Sequence, residues 1–244
     1  LYDTYGFPID VTKNILSDKK INLDFEQYEK IVFENKSKQK NTWVGSQSNN
    51  EEKIFPELNK KLKETAFLGY NKTKTESKLL NIILNGEIVN YVEKEQSDII
   101  LIFDKTPFYA EAGGQVGDSG NIYTQENDLI GRIIDTKKMD NDIYLHYLTN
   151  NTTELKVNET YILSVNTERR EKIRNNHSAT HLLHASLRNI LGDHISQKGS
   201  LVNDEKLRFD FTFNDQLTTD QVNKIESLVN QTIRANIQSS VKLM

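Results

Sequence analysis

The spacing of hydrophobic positions changes twice along the 244-residue chain, and each change predicts a different kind of structure. Over residues 24–39, Phe25, Tyr28, Ile31 and Val32 recur at three- and four-residue steps, which predicts a helix with one buried face. A second helix is expected over 55–65, beginning near Pro56, a residue that a first helical turn tolerates. Phe67-Leu68-Gly69-Tyr70 is expected to close this helical part. The runs then shorten. Residues 78–84, 87–92, 98–103, 121–123, 129–135, 143–147 and 161–165 are rich in Ile, Val and Leu and read as strands. Asn85-Gly86, between the first two, is a strong hairpin signal, because both residues accept the positive φ of a tight turn. Many short strands at close spacing predict a small antiparallel barrel or sandwich.

The helical period then returns. Residues 168–175, ERREKIRN, lead into a helix on which His177, His181, His184 and Arg188 share one narrow sector. Ala179, Leu182, Leu183, Leu187 and Ile190 centre on roughly the opposite side. The expected arrangement is an apolar stripe packed on a core, with the histidines facing away from it. Asn175 or Asn176 is the expected N-cap and Gly192 the expected stop. Beyond it, Leu207, Phe209, Phe211 and Phe213 alternate with Arg208, Asp210 and Thr212, a half-buried strand paired with 200–202 through a turn at 203–206. Thr218 and Gln221 fit a capping box, and Val222, Ile225, Val229 and Ile233 stripe the helix that follows.

These elements define an α+β, multidomain chain. A helical segment occupies 1–75, a small antiparallel β-barrel with a glycine-rich loop 76–167, and an incomplete α+β layer with the HxxxH helix 168–244. Composition narrows the function classes. The net charge of −4 carries no global nucleic-acid signature, although local RNA contacts stay open. With no cysteine, the chain has neither a disulfide nor a thiolate ligand. No apolar run approaches the ~20 residues of a membrane span, and no secretory signal is visible, so the expected location is the cytoplasm. The chain runs from Leu1 to Met244 without a starting Met, and we expect it to be a piece of a longer protein. Its leader, LYDTYGFPIDVT over 1–12, reads as a packed loop or one that touches substrate.

Candidate chemistry concentrates in two places. His177 and His181 lie four apart on one helix face, either a solvated polar face or one wall of a metal site. Gly113, Gly114, Gly117 and Gly120 in TPFYAEAGGQVGDSG make a loop whose backbone can approach a ligand closely, or a tight barrel connection. It is neither GxGxxG nor a Walker loop; Gly113-Gly114-Gln115 is also the tripeptide of peptide-release factors, which hydrolyse an ester on tRNA. Arg169, Arg170, Lys172 and Arg174 could touch phosphate or sit in solvent.

In this order, LYDTYGFPID, FLGY, FYAEAGGQVGDSG, NHSATHLLHASLR and SQKGSLVNDEKLRFDF resemble the middle of alanyl-tRNA synthetases, and the resemblance covers essentially the whole chain. It implies the end of the aminoacylation and tRNA-recognition region, a β-barrel, and the start of a zinc-dependent editing domain. It also implies an alanine–tRNA ligase whose partners are tRNA(Ala), alanine and ATP, and whose editing module hydrolyses Ser-tRNA(Ala) and Gly-tRNA(Ala). His177 and His181 match the HxxxH half of the family's zinc site. The Cys-x-x-x-His half has no match here and is expected beyond Met244, so the isolated piece is expected to be inactive. The ATP and Mg site is expected upstream of Leu1. Gln197 in SQKGS matches a residue implicated in editing, and Gly113, Gly114 and Gln115 would lie over the mouth of the site. His184 is given a supporting place beside the ligands. Two other readings stay open: a free-standing alanyl-tRNA deacylase, which is not expected to carry the leader, and a non-catalytic tRNA-binding fragment.

Overall fold

The computed structural model describes residues 62–139 and 141–237, together with Gln27, Ile54, Phe55 and Leu58, all four of them helical. The chain divides into two compact units, 1–49 and 50–244. The leader over 1–12, most of the helix expected over 24–39 and the start of the second helix at Pro56 lie outside the described residues.

Eleven strands precede the long helix: β1 (Ala66–Phe67), β2 (Lys74–Leu84), β3 (Glu87–Val89), β4 (Tyr91–Val92), β5 (Ile99–Phe103), β6 (Lys105–Thr106), β7 (Gly120–Tyr123), β8 (Leu129–Lys138), β9 (Tyr144–Leu148), β10 (Leu155–Lys156) and β11 (Thr160–Val165). Six of them pair antiparallel in the order β11, β7, β8, β9, β5, β2, and β2 pairs back onto β11. The ring is therefore a closed barrel rather than a sandwich, and closure leaves no free edges among those six strands. Asn85 and Gly86, at φ 51° and 78°, turn β2 into β3 as their spacing predicts. The run 87–92 breaks at Asn90, whose carbonyl accepts a hydrogen bond from Val157 N at 3.0 Å, and its second half becomes β4, paired with β10.

Leu79, Ile82, Leu101, Phe103, Phe108, Ile122, Ile133 and Leu163 fill the barrel. β5 reads IILIF without alternation because both of its faces are covered. Ile99, Leu101 and Phe103 join the interior, while Ile100 and Ile102 pack outside with Ile83, Ile143, Leu145 and helical Leu58. The helix expected over 55–65 does not reach Thr65, since 62–65 are not helical. The barrel claims them instead: Thr65 Oγ1 donates to Phe103 O at 3.1 Å and accepts from Tyr144 N at 3.2 Å. The FLGY segment likewise belongs to the barrel wall. Phe67 lies in β1, parallel to β6, and stacks on Tyr144 at 5.7 Å between ring centroids.

The fifth histidine, His146, is fully buried among Phe103 and Phe108. Its Nδ1 meets Leu101 O at 3.1 Å and its Nε2 meets Thr106 Oγ1 at 2.7 Å. Carbonyl oxygen only accepts, so Nδ1 carries the proton and Thr106 donates to Nε2.

After the barrel come α1 (Thr167–Leu191), β12 (Gln197–Val202), β13 (Leu207–Phe211) and α2 (Thr219–Ala235). Asn166, not Asn175 or Asn176, is the N-cap of α1, its side chain accepting from Arg169 N at 3.0 Å. ERREKIRN is thus the first part of the helix itself. Gly192 ends it as expected, at φ 115°. β12 and β13 pair with Val202 opposite Leu207, and the Asn203 carboxamide oxygen accepts from Glu205 N and Lys206 N to hold the turn. The capping box at Thr218 and Gln221 is present. Leu183, Leu187, Ile190, Ile195, Phe209, Phe211, Ile225 and Val229 form the core between the two helices and the hairpin. No helix among the described residues is long and apolar enough to cross a membrane.

A buried ion pair joins α1 to the barrel. Arg170 and Asp118 are 8% and 2% exposed. Arg170 Nε donates to Asp118 Oδ2 at 3.0 Å, and Nη2 donates to the same oxygen and to Pro107 O at 2.6 Å. Nη1 donates to Gly69 O at 3.2 Å. Asp118 Oδ2 also accepts from Tyr109 N at 2.6 Å. Arg170 therefore binds neither phosphate nor solvent. Lys172 and Arg174 do lie in solvent, paired with Glu168 and Glu171 on the same helix.

Two predictions follow from these buried polar groups. Arg170→Met leaves Asp118 without its counter-charge and should cost about 3–5 kcal/mol; urea denaturation should show the loss, with Lys172→Met indistinguishable from the parent. Burial lowers the His146 pKa to about 4, against the opposing pull of its backbone partners at Leu101 and Tyr144. The folded state then binds fewer protons than the unfolded one between its ordinary value of about 6.5 and about 4. Its stabilisation is complete above that window and falls by about 3 kcal/mol as pH drops through it. Ring 15N shifts of His146 should stay those of a neutral, Nδ1-protonated imidazole at about pH 5.5, midway through that window; a charged ring there would overturn the assignment.

Candidate functional site

The face of α1 that meets the rest of the protein is half polar. Arg170, Ile173, His177, Thr180, His184 and Leu187 recur at steps of three and four. Arg170, Ile173, Thr180 and Leu187 are buried, and His177 and His184 are half-buried. The histidine sector, which the helical wheel turns away from the protein, is therefore only partly so: His181 and Arg188 are exposed, while His177 and His184 continue the buried stripe. The wheel misleads because apolar counting finds only the side that packs on α2. Three polar members of the stripe have partners: Arg170 on Asp118, Thr180 Oγ1 donating to Asn176 O at 2.9 Å, and His177 on Gln115.

The glycine loop lies against that stripe and against β12. Ala112–Gln115 is a tight turn closed by Gln115 N donating to Ala112 O at 3.0 Å and Ala112 N to Gln115 O at 3.2 Å. Gly113 and Gly114 adopt φ of 60° and 84°, the left-handed conformation such a turn needs. Gly114 has a second constraint. Any Cβ there would overlap the Ser200 carbonyl, whereas one at Gly113 would meet nothing. The turn is sewn to β12 by Val202 N donating to Gly114 O at 2.8 Å and Val116 N to Val202 O at 3.0 Å. Arg169 adds a clamp, donating to Gly117 O at 2.8 Å and pairing with Asp204 at 3.2 Å. Close packing of backbone on backbone thus accounts for Gly114 and Gly117, the tight-connection reading of this loop.

Within this junction His177 Nδ1 lies 2.5 Å from Gln115 Oε1. Gln115 is 9% exposed. The rings of His177 and His181 stand 5.0 Å apart at 30°. Burial lowers the His177 pKa, and the neighbouring His181 lowers it further. His181 is exposed. One turn on, His184 packs on Phe209 at 5.1 Å, and its Nε2 is buried without a hydrogen-bond partner. Gln197, at the exposed start of β12 opposite Phe211, makes no side-chain hydrogen bond among the described residues. The fold thus assembles Gly113, Gly114, Gln115, His177 and His181, and joins Gln197 to none of them by a hydrogen bond. Sequence reasoning missed Asp118 and Asp204 and the roles of Arg169 and Arg170. The available signal was Arg170's position, seven residues before His177 on the same stripe.

A donor set of two imidazoles one turn apart, one of them anchored through Nδ1, fits half of a tetrahedral zinc site. Among the described residues no group of three or more His, Cys, Asp or Glu converges there.

The sequence model described as tRNA synthetases class II (A) matches residues 1–169. The alanine–tRNA ligase of Wolbachia pipientis wMel is 42% identical over all 244 residues, which correspond to 28% of that protein. Those of Rickettsia canadensis and Rhodopseudomonas palustris are 36% and 38% identical over the same span, covering 28% and 27% of their lengths. The chain thus spans little more than a quarter of the relatives it matches. A match over well beyond half of the chain, in a molecule whose glycine loop and histidine helix meet as described, places it: the chain belongs to the class II tRNA synthetases (A).

Proposed function

We propose that this chain is part of an alanine–tRNA ligase, which joins alanine to tRNA(Ala) with ATP, and that residues 168–244 begin its editing domain. The observation that carries the editing role is the His177–His181 pair, in which half-buried His177 meets the braced glycine loop through Gln115 and exposed His181 stacks beside it. The need for a second site follows from physical limits. A pocket built for one methyl group rejects a hydroxyl-bearing near-isostere only ~10²-fold and cannot exclude a smaller side chain by size. Serine and glycine are then attached to tRNA(Ala), and their esters must be hydrolysed.

His177 and His181 would hold zinc, with the remaining ligands supplied from outside the described residues. A zinc ion held there would supply Lewis-acid activation at neutral pH. His177 would enter that role as a neutral imidazole, which its burial favours. The glycine loop covers one side of His177, where Gln115 meets its ring. Gln197, at the open start of β12, contacts the amino-acid side chain or places the attacking water as substrate enters. The full protein is expected to work in the cytoplasm, where its tRNA partner is.

In the full-length protein, His177→Ala should slow hydrolysis of Ser-tRNA(Ala) by more than about 100-fold, the upper end of what loss of an outer partner of a metal ligand costs, while alanine attachment is unchanged. Hydrolysis at the parent rate would remove the histidines from the chemistry.

A further inference from the structure

We infer that Gln115 is a positioning residue for His177: its carboxamide oxygen holds the imidazole in the Nδ1-protonated tautomer and so leaves Nε2 as the free electron-pair donor of the site. The functional consequence rests on the zinc reading above; the tautomer itself does not.

Three observations carry it. The contact is short, 2.5 Å from His177 Nδ1 to Gln115 Oε1. Gln115 is nearly buried, so its oxygen cannot exchange this donor for bulk water without cost. Its backbone is clamped on both sides, by the two bonds to Ala112 and by the Val202 bonds on Gly114 and Val116. A side chain rooted in a segment held that tightly points where the turn and β12 send it. A carboxamide oxygen only accepts, so the nitrogen facing it must carry the proton. In a neutral imidazole the other nitrogen then keeps its lone pair, and the bond made by one ring nitrogen decides what the other can do. Gln115 also belongs to the barrel side of the junction and His177 to the helix side. This single bond therefore makes the donor geometry of the helix depend on the seating of the glycine loop.

The test uses the metal-free chain with 15N-labelled histidine near pH 8 and reads long-range proton–nitrogen couplings. His177 is expected as the Nδ1-protonated form in the parent and in Gln115→Glu, which keeps an acceptor, and to lose that preference in Gln115→Met. In the full-length protein, chelator competition should show zinc held about 10–100-fold more weakly by Gln115→Met and restored by Gln115→Glu. An Nε2-protonated His177 in the parent overturns the inference without any variant having to fold. So does an unchanged tautomer and zinc affinity in Gln115→Met. Should His177→Ala leave zinc content intact, the zinc reading fails, while the tautomer result still decides the positioning role.

Discussion

A guanidinium and a carboxylate withdrawn from water must be satisfied by the protein, and Arg170 and Asp118 are. Four hydrogen bonds leave Arg170: two to Asp118, one to Pro107 O and one to Gly69 O. Asp118 takes a further bond from Tyr109 N. An apolar pair of equal volume could hold α1 against the barrel as firmly, because the Coulomb gain of a buried pair is largely offset by desolvation. What an apolar pair lacks is direction. The planar fork of arginine satisfies its acceptors in one orientation, and that orientation sets the rotation of α1 about its axis. His177 lies seven residues on, close to two turns and ~10.5 Å along. The rotation fixed at Arg170 is therefore the rotation at which His177 meets Gln115.

The barrel supplies the other half of that register. β7 starts one residue beyond Ser119, whose carbonyl accepts from Asn166 N, the N-cap of α1, at 2.8 Å. The loop that ends at Gly120 thus carries Gln115, Asp118 and the start of the helix within a few residues of one another. Inside the barrel, Thr106 Oγ1 donates to His146 Nε2 at 2.7 Å and accepts from Phe108 N at 3.1 Å, so the strand feeding the glycine loop is pinned at its base. A neutral, fully bonded imidazole can occupy that position among phenylalanines; a charged one could not without a counter-charge.

How much of this was legible in the sequence divides along the line between apolar and polar burial. The six strands of the closed ring, the Asn85-Gly86 turn, the hairpin at Asn203 and the Thr218 cap are legible, because alternation, turn chemistry and capping are local; the two-residue strands β1, β6 and β10 are not. The alternatives of barrel and sandwich could not be separated, because the deciding contact is β2 on β11, some eighty residues apart. FLGY reads as the end of the helices for the same reason: Thr106 O, which accepts from Leu68 N, is distant in sequence. The start of α1 is not legible because its first two turns bury Arg170 and Ile173 in a stripe whose next three members, His177, Thr180 and His184, are polar. At the site, His177, His181 and the glycine pair were visible as residue types, whereas the bond from His177 to Gln115 spans 62 positions and leaves no mark in either segment alone.

This division explains why the glycine loop and the histidine helix belong together physically. Gly114 can touch Ser200 only because it has no side chain, and that contact brings Gln115 to β12 and within reach of His177. Adding a Cβ at Gly114 would push the turn away from β12 and lengthen a bond that is already the sole polar anchor of His177 among the described residues. At Gly113 the same added atom meets open space, so the cost there is limited to the positive φ. The two adjacent glycines therefore answer different demands. One closes the turn; the other sets the distance between a barrel loop and a helix on which the orientation of an imidazole depends.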